Sequence, residues 1–356
     1  MSSEQLIETQ AFPVSRMAET LHGSEIIKLA SEINEKIKAG ARIYNFTIGD
    51  FDPELFPIPT ELRDEIIKAY IQNQTNYPAA NGIAPLRASI AAYTKSLLGL
   101  DYSPDEFLVA GGARPIIYSA YHTLVDPGDK VVFPVPSWNS NHYAHLSRAV
   151  MTSVETKPEN NFMPTAEELK PHLKGATLLS LCSPLNPTGT TFSREGLLEI
   201  CKLVLEENLS RPVGSKPLYL LYDQIYSALT YGNTVHYDPV SLLPEMRPYT
   251  VFVDGLSKTF AATGVRVGWG FGPTAIIDKM KSIVGHVGAW SPKPEQVATA
   301  VYLADQKQAF SFINTLKGDL QLRLDGFYTG FRSLEKEGFP VMAIAPQAAL
   351  YLTVKF

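Results

Sequence analysis

Residues Tyr249–Gly270 read YTVFVDGLSKTFAATGVRVGWG, and the fold turns on how they are read. Thr250–Val253 is a short, unbroken β-branched and aromatic run, the pattern of a strand buried on both faces. Lys258 follows on the turn after that strand, beside Ser257. Arg266 comes eight residues later, in a segment that also carries Gly264, Gly268 and Gly270. A lysine at a strand's carboxyl end is placed for covalent chemistry. With its pKa lowered by burial or by neighbouring cations, its amine can form a Schiff base with a carbonyl. Arg266 adds a planar fork suited to phosphate.

An imine-forming lysine near a phosphate-binding arginine suggests pyridoxal phosphate, an aldehyde that carries a phosphate. Working outward, Pro217–Tyr222 reads as another apolar strand, closing on Asp223. A carboxylate at the end of a buried strand is costly unless paired, so Asp223 needs a cation. Thr177–Leu181 is a further strand and runs into Asn186-Pro187-Thr188-Gly189, a turn that its proline and glycine fix. Phe107–Ala110 is followed by Gly111-Gly112-Ala113-Arg114-Pro115. A glycine pair between strand and helix leaves bare N–H groups and a positive helix end for an anion. Pro115 suits the helix's first turn. Lys130–Phe133 is a strand with Trp138 on the loop after it. Upstream, Ile43–Ile48 alternates as a short strand before Gly49 and a Pro-rich loop, and Tyr77 opens the turn YPAANG. Two stretches have helical spacing: Glu25–Ala39, capped by Ser24 and ended by Gly40, and the amphipathic Arg194–Glu207. Strands alternating with helices predict an α/β fold with a mostly parallel sheet.

These separated motifs, spread from about Tyr44 to Tyr351, resemble the fold-type I pyridoxal-phosphate enzymes. The likeness is specifically to the class I/II aminotransferases, in their aspartate aminotransferase-like branch. It implies a mostly parallel sheet sandwiched by helices and a second, smaller α+β domain. It implies that Lys258 holds the cofactor as a Schiff base and moves the substrate proton, while Asp223 pairs with the protonated pyridine nitrogen. Asn186 and Tyr226 would hydrogen-bond the phenolic oxygen, and Trp138 would stack on the ring. Gly112, Ala113, Arg114, Ser257 and Arg266 would hold the phosphate, joined by the partner subunit's Tyr77, so the family pattern implies a homodimer with shared active sites. Gly49, Trp138 and Asn186 would face the substrate. Two departures stand out. Gly255 lies where many relatives carry serine or threonine, so one phosphate hydrogen bond would be missing or supplied by water. Pro346–Leu352 resembles the start of the family's small C-terminal domain, yet no arginine before Phe356 can be assigned to the substrate α-carboxylate. The small domain therefore reads as truncated.

The totals agree with a globular enzyme. The chain has 356 residues, 45% of them hydrophobic and 19% charged, enough for one large domain and a smaller one. The expected division is 1–69 for an N-terminal arm and part of the small domain, 70–288 for the large cofactor domain, and 289–356 for the incomplete C-terminal small domain. A net charge of −5 argues against nucleic acid as partner. Cys182 and Cys201 are too few for a disulfide framework or a zinc site and read as buried free thiols. The first residues lack the pattern of a signal peptide, and no apolar run approaches ~18 residues. The expected setting is cytoplasmic, without a membrane. The expected reaction is transamination between an L-amino acid, aspartate as the best choice, and a 2-oxo acid. The same cofactor residues would serve a C–S β-lyase or a binding-only protein, and the motifs leave both open.

Overall fold

A computed structural model of the chain describes residues 14–356 apart from Ser24. The capping role expected of Ser24 and the first part of the N-terminal arm lie outside the described residues. The centre is a seven-stranded sheet: β1 (Phe107–Ala110), β2 (Lys130–Val135), β3 (Val150–Glu155), β4 (Ala176–Cys182), β5 (Tyr219–Asp223), β6 (Thr250–Gly255) and β7 (Gly268–Phe271), in the spatial order β1-β7-β6-β5-β4-β2-β3. Strands β6, β5, β4, β2 and β3 pair in parallel, and β7 runs antiparallel between β1 and β6. The strands expected at 107–110, 130–133, 177–181, 217–222 and 250–253 are all present, with ends shifted by up to two residues.

Apart from its exposed edge strand β3, the sheet is buried on both faces because successive side chains serve opposite cores. Phe107, Val109, Leu179, Leu220, Tyr222 and Phe252 point into one apolar cluster with the helices Ala84–Leu98, Arg194–Ser210 and Lys293–Ala304. Leu108, Ala110, Leu178, Leu221, Val251 and Val253 point into the other, against the helices Ala113–Leu124 and Thr274–Val287. Phe271 stacks on both Phe252 and Phe107, with centroids 4.6 and 4.9 Å apart, and so ties β7 into the first core. A third cluster joins Leu316, Leu320 and Leu324, one stripe of the long helix Gln306–Lys336, to Ile225, Tyr226 and Ala349. Beyond that helix, β8 (Met342–Ala343) and β9 (Val354–Lys355) form a small antiparallel pair.

One expected strand is absent. Residues 43–48 form no strand; Tyr44 and Phe46 are 70% and 75% exposed. Among the described residues no strand pairs with them and no core takes either face, so the pattern alone misleads. The helix Glu25–Lys38 forms as expected, but Leu29 and Ile37 on its apolar stripe stay exposed.

Candidate active site

Five loops leave the carboxyl ends of β1, β2, β4, β5 and β6 and converge on one cavity of about 940 Å³. That is where open α/β sheets carry their ligands, because the strand order reverses there and leaves a crevice. Gly49, Ala113, Arg114, Trp138, Asn186, Asp223, Tyr226, Ser257, Lys258 and Arg266 all line it. Gly112 lies behind this wall. Tyr77 does not line it; it stands 82% exposed, edge-on to Trp290 at 5.4 Å.

Lys258 sits on the four-residue helix Leu256–Thr259, directly after buried β6. Its Nζ donates to the Gly49 carbonyl at 2.6 Å and lies 6.0 Å from the centre of the Tyr226 ring. Burial lowers the pKa of this amine, with Arg114 and Arg266 pushing the same way and Asp50 opposing them. A lowered pKa raises the neutral, nucleophilic fraction of the amine. Asp223 ends β5, and burial pushes its carboxyl up to about 6. The Ile225 N–H donates to Asp223 Oδ1 at 3.1 Å, and no cation of the described residues forms an ion pair with it. It is an uncompensated acid facing a cavity, poised for a positive ligand group.

The other end of the cavity is cationic. The helix Ala113–Leu124 begins after Gly112 with no side-chain cap, so its first N–H groups and positive end are free for an anion. Arg266 lies beside this start: Nη2 donates to the Gly111 carbonyl at 2.8 Å and Nη1 to the Thr263 carbonyl at 2.7 Å. The approach depends on two glycines. A Cβ at Gly112 would collide with the Arg266 guanidinium, and one at Gly268 would meet the Gly112 carbonyl carbon and lie 2.6 Å from Ala113 N. Gly255 has a similar cause: a Cβ there would stand 2.9 Å from Gly268 Cα and 3.0 Å from the Val267 carbonyl. The close passage of β6 and β7 thus excludes a serine or threonine at that position. The Arg114 guanidinium lies over Trp138, 5.5 Å from its ring centre.

Asn186 follows β4 in the expected turn, and its bond to Pro187 is cis. Three lining residues escaped the sequence reading as individual contributors. Tyr351 Oη lies 2.6 Å from Tyr226 Oη, and a Cβ at Gly49 would run into that same hydroxyl. Asp50 Oδ1 accepts from Thr263 Oγ1 at 2.7 Å. Cys182, expected to be buried, is half-buried and borders the cavity, though burial keeps its thiol well above the usual range. Asp50 and Cys182 carried a readable signal, one beside a chain-breaking glycine and the other ending a buried strand. Tyr351 lies in the Pro346–Leu352 motif, but nothing local gave it a role, because its contacts come from distant segments.

The site combines an isolated buried acid, a buried amine and an uncapped helix start beside an arginine. A group bearing a cationic ring, an aldehyde and a phosphate meets a suitable partner at each of these features. The aminotransferase class I and II family model matches residues 41–356. An aspartate aminotransferase of Bacillus sp. (strain YM-2) is 27% identical over 342 residues, covering 95% of this chain and 82% of that one. An aspartate/prephenate aminotransferase of Thermus thermophilus is 28% identical over 343 residues, covering 95% and 83%. The structure of an aspartate aminotransferase from Thermus thermophilus with maleate superposes with a TM-score of 0.87 at 26% identity, covering 96% of this chain and 85% of that one. The chain belongs to the class I and II aminotransferases, enzymes that use pyridoxal phosphate to move amino groups between amino and oxo acids.

Proposed function

We propose that this aminotransferase takes L-aspartate as amino donor and a 2-oxo acid as acceptor, through the residues gathered around Lys258. The observation that carries the reading is the pairing, in one cavity, of a lysine with a lowered pKa and a buried aspartate that no cation of the described residues pairs with. The choice of aspartate is supported by the names of the relatives. Bound, the cofactor supplies an aldehyde carbon and an electron-withdrawing ring.

The chain's own residues do the rest. Lys258 Nζ would hold the cofactor's aldehyde carbon, and as a free amine it would serve as the general base and acid for the substrate's α-proton. Asp223 would keep a negative charge beside the ring nitrogen and so favour its protonated form. Asn186 and Tyr226 would donate to the phenolic oxygen and favour its anion. Trp138 confines the ring plane, a stacking contact worth about 1 kcal/mol beyond burial. Gly112, Ala113, Arg114, Ser257 and Arg266 hold the phosphate, with the partner subunit's Tyr77 completing the cradle. Gly49, Trp138 and Asn186 form the substrate side.

On this reading the enzyme is a homodimer. The exposure of Tyr77, Phe46 and the Leu29–Ile37 stripe supports a surface that a second copy covers. Residues 70–288 would form the large unit and residues 1–69 with 289–356 the small one. Two free cysteines fit a reducing cytoplasm. The test is the visible spectrum of the purified protein before and after L-aspartate, with no oxo acid added. Conversion of the aldehyde-form band to the amine form is expected. A band that aspartate leaves unchanged removes aspartate as the donor.

A further inference from the structure

We propose that Tyr351 is a positioning residue for the reaction: its hydroxyl donates to the Tyr226 hydroxyl and so strengthens the hydrogen bond Tyr226 gives to the cofactor's phenolic oxygen. The inference rests on the aminotransferase reading of the cavity. It begins with a count of protons. Each phenol has one, and the two oxygens lie 2.6 Å apart, so their bond uses one proton and leaves the other to be given elsewhere. When Tyr226 turns its proton into the cavity, its oxygen is left to accept, and Tyr351 is the donor that faces it. A hydroxyl that accepts one hydrogen bond becomes a stronger donor in the next, and more so in a buried site.

Tyr351 is also firmly held. Residues 347–353 run as a strap across the loops after β4 and β5. Ala348 N–H donates to the Gly189 carbonyl and Thr191 N–H to Gln347 Oε1, both at 2.9 Å. Ala349 N–H donates to the Leu229 carbonyl at 2.8 Å, the Tyr231 hydroxyl donates to the Ala349 carbonyl, and Thr353 Oγ1 donates to the Thr188 carbonyl at 3.0 Å. From the opposite side Gly49 leaves no space for even a methyl group against the Tyr351 oxygen. A side chain fixed from both sides loses little entropy in holding its partner, which suits a group that sets another's orientation.

The titratable groups around the pair are Cys182 after β4, Asp223 after β5, Lys258 after β6 and Asp50 beside Gly49, with Arg114 and Arg266 in the same cavity. Tyr143 lines the cavity too; all these side chains are present in every variant, so a shift that needs both hydroxyls reports the Tyr351 oxygen acting through Tyr226. The experiment is a pH titration of the bound cofactor's visible band in the holoenzyme, with circular dichroism to confirm the fold. The bond from Tyr226 favours the deprotonated chromophore, so Tyr351→Phe is expected to raise the midpoint by about half a pH unit. Tyr226→Phe should raise it further, and adding Tyr351→Phe to that variant should change nothing more. Gly49→Ala keeps the hydroxyl but pushes it away, and should also raise the midpoint; it carries the test if Tyr351→Phe does not fold. Wild-type titration in both Tyr351→Phe and Gly49→Ala overturns the proposal, as does an undiminished Tyr351→Phe shift in the Tyr226→Phe background. A wild-type protein that binds no cofactor overturns the underlying cofactor reading instead, before any variant is compared.

Discussion

Asp223 and Arg266 show what single residues tolerate in order to serve a ligand. In the folded chain the Asp223 carboxyl titrates at about 6, above its unfolded value of about 4. The extra proton therefore stabilises the cofactor-free fold fully below about pH 4, and that stability is lost as pH climbs through 6. The shift corresponds to about 3 kcal/mol at most, and less where the cavity-facing side of the carboxyl stays wet. Asp223→Asn is expected to stabilise the cofactor-free protein at pH 8 by about 2 kcal/mol and to flatten its stability between pH 4 and 7. Cofactor affinity should fall at the same time. Urea unfolding across pH, with and without pyridoxal phosphate, checks both signs; a cofactor-free variant less stable than wild type at pH 8 would contradict the buried-charge account. Arg266 adopts φ 60°, left-handed backbone that non-glycine residues seldom occupy, at a cost on the order of 1 kcal/mol. Its two bonds to the Gly111 and Thr263 carbonyls hold it there and aim the guanidinium at the helix start.

At the scale of elements, the site depends on how closely β7 passes the start of the Ala113–Leu124 helix. Gly268→Ala would drive a methyl into the Gly112–Ala113 backbone, which has no flexible atoms to yield. The expected cost is about 1–3 kcal/mol of stability, read from thermal melting, together with weaker phosphate binding as the helix start moves. A variant with unchanged melting and cofactor affinity would show that this approach is dispensable. Elements also show where local sequence speaks clearly. Thr250–Val253 was legible as a strand because burial on both faces leaves an unbroken apolar run. The run of Ile43–Ile48 was misread because alternation records an intention to pair, and no neighbour answers it. Lys258, Asp223, Asn186 and the Gly112 turn were legible because each ends or follows such a buried strand. The Gly268–Gly112 contact and the Tyr351–Tyr226 pair were not, since nothing in either local stretch reports the segment that will arrive against it.

For the whole molecule, the prediction concerns shared sites. If the partner subunit's Tyr77 reaches the phosphate, Tyr77→Ala should weaken cofactor binding about tenfold, the loss of one charge-assisted hydrogen bond. Lys258→Ala should abolish turnover by removing the amine. Mixed, unfolded and refolded together, the two variants should recover activity, because each hybrid dimer contains one site with an intact Lys258 and an intact Tyr77. With random assortment about a quarter of all sites are then whole. Activity in the mixture at limiting cofactor no higher than the average of the separate variants would rule out shared sites.

The amine of Lys258 is shielded by an early segment through Gly49 and, around Tyr226, by a late one through Tyr351. A ribosome delivers Gly49 and the sheet well before the strap that carries Tyr351. Until it arrives the cavity around Lys258 lacks one wall, and long-range closure of this kind is slow compared with local helix formation. Order of synthesis thus sets order of closure: the wall that Tyr351 forms is the last part of this cavity the chain can complete.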